Sequence, residues 1–191
     1  MEFVNEQEVF GLLKEFGIEA EPVGEEIVDL RMKNDDSIVR FHLACEGCQA
    51  ESYDGAETVI VEKQKLPDVV EHMLHLLHLR QVLLVPVGKW RNIFDAVAFS
   101  LASNEDWQLI DAAATVELNQ RDPLLCEPED FSTLHELLAA LYNDAEHPEQ
   151  QLMLVSTIAP ILIEIVPEGA LRVSIGNQVL ADEVAEAFSV S

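Results

Sequence analysis

Basic residues are scarce in this chain of 191 residues. Lysine and arginine together number 11, against 36 aspartates and glutamates, which gives a formal net charge of −25. The basic residues are scattered, as at Lys63–Lys65 and Lys89–Arg91, and form no cluster. Binding to nucleic acid or to an anionic membrane surface depends on such a cluster. We therefore expect no nucleic acid and no membrane as partners, and the charge favours a basic protein segment instead.

Cysteines and long apolar runs are also few. The three cysteines and the acidic N-terminus MEFVNEQEVF, which lacks the features of an export signal, favour reduced thiols and a cytoplasmic location. The longest apolar stretches, such as Val82–Val87 and Ile158–Val166, are too short to span a bilayer. With 49% apolar residues, the chain is long enough to bury a core without disulfides or metal.

Motifs that would indicate a reaction are missing. The sequence has eight glycines, and none lies in a phosphate-binding loop or a G-x-G-x-x-G fingerprint. It has no G-x-S-x-G nucleophile elbow and no D-x-D-x-D-G calcium loop. Carboxylates are too numerous for a catalytic pair to be chosen from the sequence. These absences favour a non-enzymatic protein, for which no cofactor is expected.

The first half of the chain predicts a helix, three strands and a second helix. Asn5, with Glu8 three residues later, predicts a helix N-terminus. Strand alternation in the second strand places His42 on the opposite face from Phe41 and Leu43. The predicted elements are a helix over 6–16, strands over 26–32, 38–45 and 57–63, a helix over 67–79 and a further strand at Val82–Val87.

The second half ends with the same order of elements. Pro167-Glu168-Gly169 predicts a three-residue hairpin loop between its last two strands. That loop places Glu164 opposite Arg172 on the polar face of the hairpin. The predicted elements are a helix over about 91–103, an ambiguous stretch over 106–119, a helix over 128–143, strands over 152–157, 161–166 and 171–175, and a helix over 179–188.

These patterns predict the α+β class, with antiparallel sheets and helices packed on one face. Two units with the order helix, three strands, helix are expected. The N-terminal unit and its added strand occupy residues 1–88. The C-terminal unit, preceded by the 91–103 helix and the ambiguous stretch, occupies residues 89–191. The two units either form separate domains or pack as one.

Cys45-Glu46-Gly47-Cys48 is the motif that comes nearest to a functional site. The candidate zinc ligands are His42, Cys45, Cys48 and Cys126. A redox pair is the second alternative, although the two cysteines do not begin a predicted helix. The third is a turn whose thiols have no role. Strand alternation separates His42 from Cys45 unless the chain turns before residue 45.

Two further groups are candidates for binding. His72, His75 and His78 lie together on the polar face of the 67–79 helix, where they could bind a metal ion, respond to pH, or form a solvated surface. Trp90 lies between Lys89 and Arg91 at the expected start of a helix. An exposed tryptophan there would anchor a partner, whereas one turned inward would pack against the core.

Small size, acidity and amphipathic elements favour a non-enzymatic protein-binding or chaperone-like module. Over roughly residues 5–87 the element order and charge resemble those of small acidic secretion chaperones, which often dimerise. The resemblance implies a homodimer, with an interface at an open sheet edge or an apolar helix face. The alternative is a metal- or thiol-dependent enzyme that uses Cys45 and Cys48, with zinc as the metal.

Overall fold

A computed structural model of the chain describes residues 1–23, 27–33, 37–48, 53, 55–116 and 121–188. The helices are α1 (Glu6–Glu15), α2 (Leu66–Leu76), α3 (Trp90–Val97), α4 (Glu105–Val116), α5 (Phe131–Asp144) and α6 (Gln178–Phe188). The strands are β1 (Glu2–Phe3), β2 (Ile18–Val23), β3 (Ile27–Met32), β4 (Val39–Ala44), β5 (Thr58–Ile60), β6 (Val82–Pro86), β7 (Leu124–Cys126), β8 (Leu152–Ser156), β9 (Ile161–Val166) and β10 (Ala170–Ile175). None of the helices in these ranges is long and apolar enough to cross a bilayer.

Eight of the strands form one sheet in the order β1-β7-β6-β8-β9-β10-β4-β5. Neighbouring strands are antiparallel except β4 and β5, which are parallel. β2 and β3 form a separate antiparallel pair. Because β4 pairs with β10 over its full length, strands from both halves of the chain share the large sheet.

One face of the large sheet is covered by helices. Leu74, Leu134 and Val184, from α2, α5 and α6, share a core with Leu84 and Val173 of the sheet. All five side chains are almost completely buried. Because burying a leucine-sized side chain stabilises a protein by about 1.5–3 kcal/mol, this core holds the helices on the sheet.

The opposite face is covered in part by α1 and the β2–β3 hairpin. Leu13 of α1 and Leu30 of β3 pack with Leu162 of β9 in a second core. The backbone N–H of Val28 donates to the carbonyl of Val87 (2.9 Å), which ties the hairpin to the residue after β6. The part of this face formed by β10, β4 and β5 carries polar side chains.

The predicted start and end of α1 are confirmed. The Asn5 side chain accepts hydrogen bonds from the backbone N–H groups of Gln7 and Glu8, at 3.0 and 3.3 Å. These bonds satisfy donors that a helix N-terminus leaves unpaired. Gly17 follows the helix in the left-handed region, with φ of 73°. Glycine adopts this conformation without steric cost, so α1 ends where the sequence predicts.

The β9–β10 hairpin has the predicted register. Gly169 lies in the left-handed region with φ of 117°, and its N–H donates to the Val166 carbonyl at 3.0 Å. Arg172 pairs with Glu164 across the two strands. The loop and the alternation of apolar residues thus determine which side chains face the helices.

The α+β class is confirmed, but the exclusively antiparallel pairing is not, because β4 and β5 are parallel. A short turn reverses the chain and makes its neighbour antiparallel. Residues 45–57, which join these strands, are long enough to return the chain to the starting end of β4. A connection of this length is too long for a tight hairpin and allows parallel pairing.

The three strands predicted in the first half do not form a sheet of their own. β3 pairs with β2, a strand that was not predicted from the sequence; Pro22 within it lacks the N–H of a regular strand residue. β4 pairs with β10. The expected order of helix, three sequentially paired strands and helix is therefore found only in the second half, as α5-β8-β9-β10-α6. Helices also do not lie on one face alone, because α1 packs on the other.

The middle of the chain differs in detail from the prediction. α3 ends at Val97 instead of about residue 103, and a turn region follows it. The ambiguous stretch contains a helix, α4. The short strands β1 and β7 were not predicted, because two or three residues carry too little alternation to be recognised.

Candidate functional site

The chain turns directly after β4, and the turn carries the cysteine motif. Cys45 and Cys48 are the ends of a β-turn, in which the Cys48 N–H donates to the Cys45 carbonyl at 3.1 Å. Gly47 has φ of 78°, as the third residue of a type II turn requires. Both cysteines are half-buried, and no disulfide joins them in this structure. The structure thus brings this pair together beside the end of β4.

His42 and Cys126 do not join that pair in one site. His42 Nδ1 lies 3.0 Å from Thr58 Oγ1, on the sheet face opposite α2, α5 and α6. Cys126 lies on β7, five strands from β4 in the sheet order, which corresponds to about 24 Å at the usual strand spacing. Within the described part of the chain, no group of three or more His, Cys, Asp or Glu side chains is placed to hold a metal ion.

Trp90 lies in the core and not on the surface. Its side chain is 2% exposed and stacks on Phe94, with ring centroids 5.6 Å apart. The edge of Phe3 contacts it, and Trp90 Nε1 donates to the Asp122 carbonyl at 2.8 Å. Trp90 therefore packs against the core, and it is not an exposed anchor for a partner.

Four polar side chains form one row across β9, β10, β4 and β5, on the sheet face opposite α2, α5 and α6. The register pairs Glu164 of β9 with Arg172 of β10, Arg172 with His42 of β4, and His42 with Thr58 of β5. Residues directly opposite in neighbouring strands have Cβ atoms about 4.5–5.5 Å apart, so these four side chains are contiguous. We call Glu164, Arg172, His42 and Thr58 the polar row.

Tyr53 lies over the polar row and connects it to Ser174. Its hydroxyl is 2.6 Å from Ser174 Oγ. The Arg172 guanidinium packs on the face of the Tyr53 ring, with Cζ 5.5 Å from the ring centroid. Arg172 Nη1 is 3.5 Å from Glu164 Oε2, and the two side chains are only 22% and 15% exposed. Tyr53 also hydrogen-bonds to Glu164. The polar row is therefore a largely buried network.

Three groups in this network have shifted pKa values. Burial raises the pKa of Glu164, although the Tyr53 hydrogen bond and the Arg172 charge act against it. Burial, and then the charge of Glu164, raise the pKa of Tyr53, so the phenol stays protonated and can donate to the carboxylate. Burial, and then the charge of Arg172, lower the pKa of His42. Clustered shifts of this kind mark a candidate functional site.

Within the described residues, one ring nitrogen of His42 has no hydrogen-bond partner. The side chain is 2% exposed, and this nitrogen is Nε2. A buried polar atom in this condition costs about 1–3 kcal/mol. An apolar side chain in place of this imidazole would avoid that cost.

Replacing His42 with leucine is expected to leave stability at about pH 7.5 unchanged or to raise it by about 1 kcal/mol. Leucine has no orphaned atom, and Thr58 is exposed, so water can satisfy its hydroxyl. The pKa of His42 is below its ordinary value of 6.5 in the folded state, so the unfolded chain binds the proton more readily. Its contribution is therefore present above pH 6.5 and is lost as the pH falls through the lowered folded-state pKa.

Urea unfolding of the wild type and His42→Leu at about pH 7.5 and 5.5 measures both effects. The wild type should lose more stability than the variant between the two values. If the variant is more than about 1 kcal/mol less stable than the wild type at the higher pH, His42 Nε2 has a hydrogen-bond partner and the prediction is wrong.

The sequence contained part of the signal for the polar row. Strand alternation placed His42 on the polar face, and the hairpin loop placed Glu164 opposite Arg172. The missing information was the pairing of β4 with β10, which joins these two halves. Tyr53 could not have been assigned to the row, because it lies in a connection without periodicity.

His72 and His75 of α2, and His78 just after the end of the helix, lie on the surface, as predicted. His72, His75 and His78 are all exposed. His75 Nε2 is 3.8 Å from Glu71 Oε1, whereas Asp68 pairs with His135 of α5 at 2.9 Å. An open groove of about 250 Å³ lies beside His75 and His78 and is lined by Leu74, His75, His78, Leu79, Arg80, Pro128 and Phe131.

A second candidate site lies on α4 and the connection that precedes it. Phe99 is 93% exposed and Leu109 is 71% exposed. α4 buries Trp107 and Ile110 on its inner side, and the Gln108 side chain donates to the Ala102 carbonyl, which holds the connection against the helix. The α3–α4 surface is defined by its exposed residues Phe99, Glu105, Leu109, Ala112 and Ala113.

The α3–α4 surface lies in a stretch without positive charge. Residues 92–120 contain no lysine, arginine or histidine. Their acidic residues are Asp95, Glu105, Asp106, Asp111 and Glu117. Arg91, just before the stretch, is paired with Asp95 at 2.8 Å. All of the charged residues in the sequence around these exposed apolar side chains are thus acidic.

No family model, no curated protein and no solved structure matches this chain. Its function is therefore inferred from the geometry and charge of its own residues.

Proposed function

We propose that this protein is a non-enzymatic binding module whose α3–α4 surface holds a basic, amphipathic segment of another protein. The observation that supports this function is the exposure of Phe99 (93%) and Leu109 (71%) within a stretch that has no basic residue. A contiguous exposed apolar patch indicates an interaction surface, and we infer that Phe99 and Leu109 belong to one such patch.

The apolar side chains supply the affinity. Covering a phenylalanine or leucine side chain stabilises a complex by about 1.5–3 kcal/mol before the cost of association is subtracted. α4 is apolar on two sides, since Trp107 and Ile110 face the core while Leu109, Ala112 and Ala113 face solvent. A helix with this distribution suits a partner helix that covers its outer side.

The charge selects the partner. The acids of residues 92–120 would attract lysine and arginine and repel an acidic segment. A second copy of this chain carries the same net charge of −25, so a dimer through this surface would place acid against acid. We therefore assign the surface to a basic segment of a different protein, and the homodimer expected from the sequence is not proposed for it.

Binding of a designed helical peptide tests this function. The peptide has leucine at helical spacing on one face and lysine on the other, and fluorescence anisotropy measures its Kd. Phe99→Ser with Leu109→Ser is expected to weaken binding at least about tenfold, because two anchors are lost. Added salt should weaken binding to the wild type, because the charges involved are exposed.

Ile158→Ser is the matched control for this experiment. Ile158 is 64% exposed, but residues 151–163 around it contain no charged residue. This variant should bind the peptide as the wild type does. Equal binding of a peptide with glutamate in place of lysine, or unchanged binding after both serine substitutions, would show that the α3–α4 surface does not have this function.

A further inference from the structure

We propose that Cys45 and Cys48 form a reversible dithiol–disulfide couple that exchanges with small thiols and disulfides such as glutathione. This couple lies at the end of β4 and is independent of the α3–α4 surface.

The backbone of the turn brings the two cysteines within bonding range. They occupy the first and fourth positions of a β-turn closed by the Cys48 N–H and the Cys45 carbonyl. Cα atoms at these positions are less than about 7 Å apart, and disulfides join residues whose Cα atoms are about 4.4–6.8 Å apart. Gly47, with φ of 78°, adopts the turn conformation without strain. The bond can therefore form with little movement of the backbone.

Both thiols have defined surroundings and are reachable from solvent. Cys45 Sγ lies 3.8 Å from the Glu168 carbonyl, and its N–H donates to the Gly169 carbonyl at 2.8 Å. Cys48 packs against the small cluster of Ala44, Val166 and Ala170. Each side chain is half-buried, so a small reagent can reach the sulfur.

The buried hydroxyl of Tyr142 lies near the two cysteines. It donates to the Ala170 carbonyl at 3.0 Å, at the end of the β9–β10 loop. Burial, and then the charges of Cys48 and Cys45 as thiolates, raise the pKa of this phenol. A charge on either sulfur therefore acts on the same buried group.

Cys126 is an internal control for thiol reactivity. It is completely buried on β7. Burial, and then the charge of Asp130, raise the pKa of Cys126 to about 12, so the thiol stays protonated in the folded protein. Because the thiolate is the nucleophile in exchange, Cys126 should not react until the chain unfolds.

The exchange proceeds in two steps. The thiolate of one cysteine attacks a sulfur of oxidised glutathione and forms a mixed disulfide, and one glutathione thiolate leaves. The second cysteine then loses its proton and attacks the protein sulfur of the mixed disulfide, so the Cys45–Cys48 bond forms and a second glutathione thiolate leaves. Two electrons pass from the protein to oxidised glutathione, and the two released protons are taken up by the two glutathione thiolates.

Equilibration of the folded, full-length protein in glutathione buffers of increasing oxidised fraction tests the couple. After acid quenching and alkylation, peptide mass spectrometry should find a Cys45–Cys48 disulfide whose fraction follows the buffer and returns to zero with excess reduced glutathione. Cys126 should be alkylated only after denaturation. Stable glutathione adducts on Cys45 and Cys48, or no oxidation at any ratio, would overturn the proposal.

Three variants separate the couple from other roles of the thiols. Cys45→Ser and Cys48→Ser should each stop at the mixed disulfide on the remaining cysteine, and Cys126→Ala should retain the reversible disulfide. Circular dichroism shows whether each variant is folded. If a variant does not fold, the glutathione titration of the wild type alone decides whether the couple exists. Zinc retained stoichiometrically by untagged protein and lost in Cys45→Ser would overturn the couple in favour of a metal site.

Discussion

Replacing Trp90 with alanine is expected to lower the free energy of unfolding by about 3–5 kcal/mol. The side chain is 2% exposed and lies between Phe94 and Phe3, so its removal leaves a cavity in the helix-side core. The Asp122 carbonyl also loses the donor that Trp90 Nε1 provides at 2.8 Å. Chemical denaturation followed by circular dichroism measures the change.

This result distinguishes the two interpretations of Trp90. A partner-binding anchor would be exposed in the isolated protein, and its removal would scarcely change stability. Phe99→Ala is the matched control, because Phe99 is 93% exposed and its loss should change stability by less than about 0.5 kcal/mol. A loss of under about 1 kcal/mol for Trp90→Ala would be incompatible with its place in the core.

Gly169→Ala is expected to destabilise the protein by at least about 2 kcal/mol. The residue has φ of 117°, a conformation that side chains rarely adopt and that costs about 1–3 kcal/mol. A β-carbon at this position would also overlap the Cys45 sulfur. Relieving such an overlap by shifting packed groups costs typically about 1–3 kcal/mol more. Urea unfolding measures the sum.

Two further variants separate the two contributions. Gly47 has φ of 78°, and no atom of the described residues lies within 4 Å of an added β-carbon. Gly47→Ala should therefore show the conformational cost alone, about 1–2 kcal/mol. Adding Cys45→Ala to Gly169→Ala removes the overlapping sulfur and should recover the remainder, as a double-mutant cycle would measure. Purely additive effects of Gly169→Ala and Cys45→Ala would mean that the two residues do not touch.

Local chemistry in the sequence determined several elements correctly. Asn5 and Gly17 bound α1, and Pro167-Glu168-Gly169 fixes the register of β9 with β10. Strand alternation placed His42 on the polar face of β4. Each of these results depends on residues within a few positions of one another, because caps, tight turns and alternation are short-range properties of the backbone.

Local sequence chemistry identified only part of the candidate cysteine site. The C-x-x-C motif marked Cys45 and Cys48, and the β-turn that joins them is local. Adding His42 and Cys126 to the pair was a long-range assumption. The structure places Cys126 five strands away from β4, so the zinc site with four ligands has no geometric basis. The α3–α4 surface was not predicted, because burial decides which apolar residues of α4 face solvent.

By itself, the sequence determined the α+β class, the acidity of the chain, and the faces of most strands. The tertiary structure decided which strands pair, and so it joined β4 to β10 and assembled the polar row. It also decided that Trp90 is buried while Phe99 is exposed. The physical reason is that periodicity records which side of an element is apolar, whereas the partner of that side is chosen by the packing of distant segments.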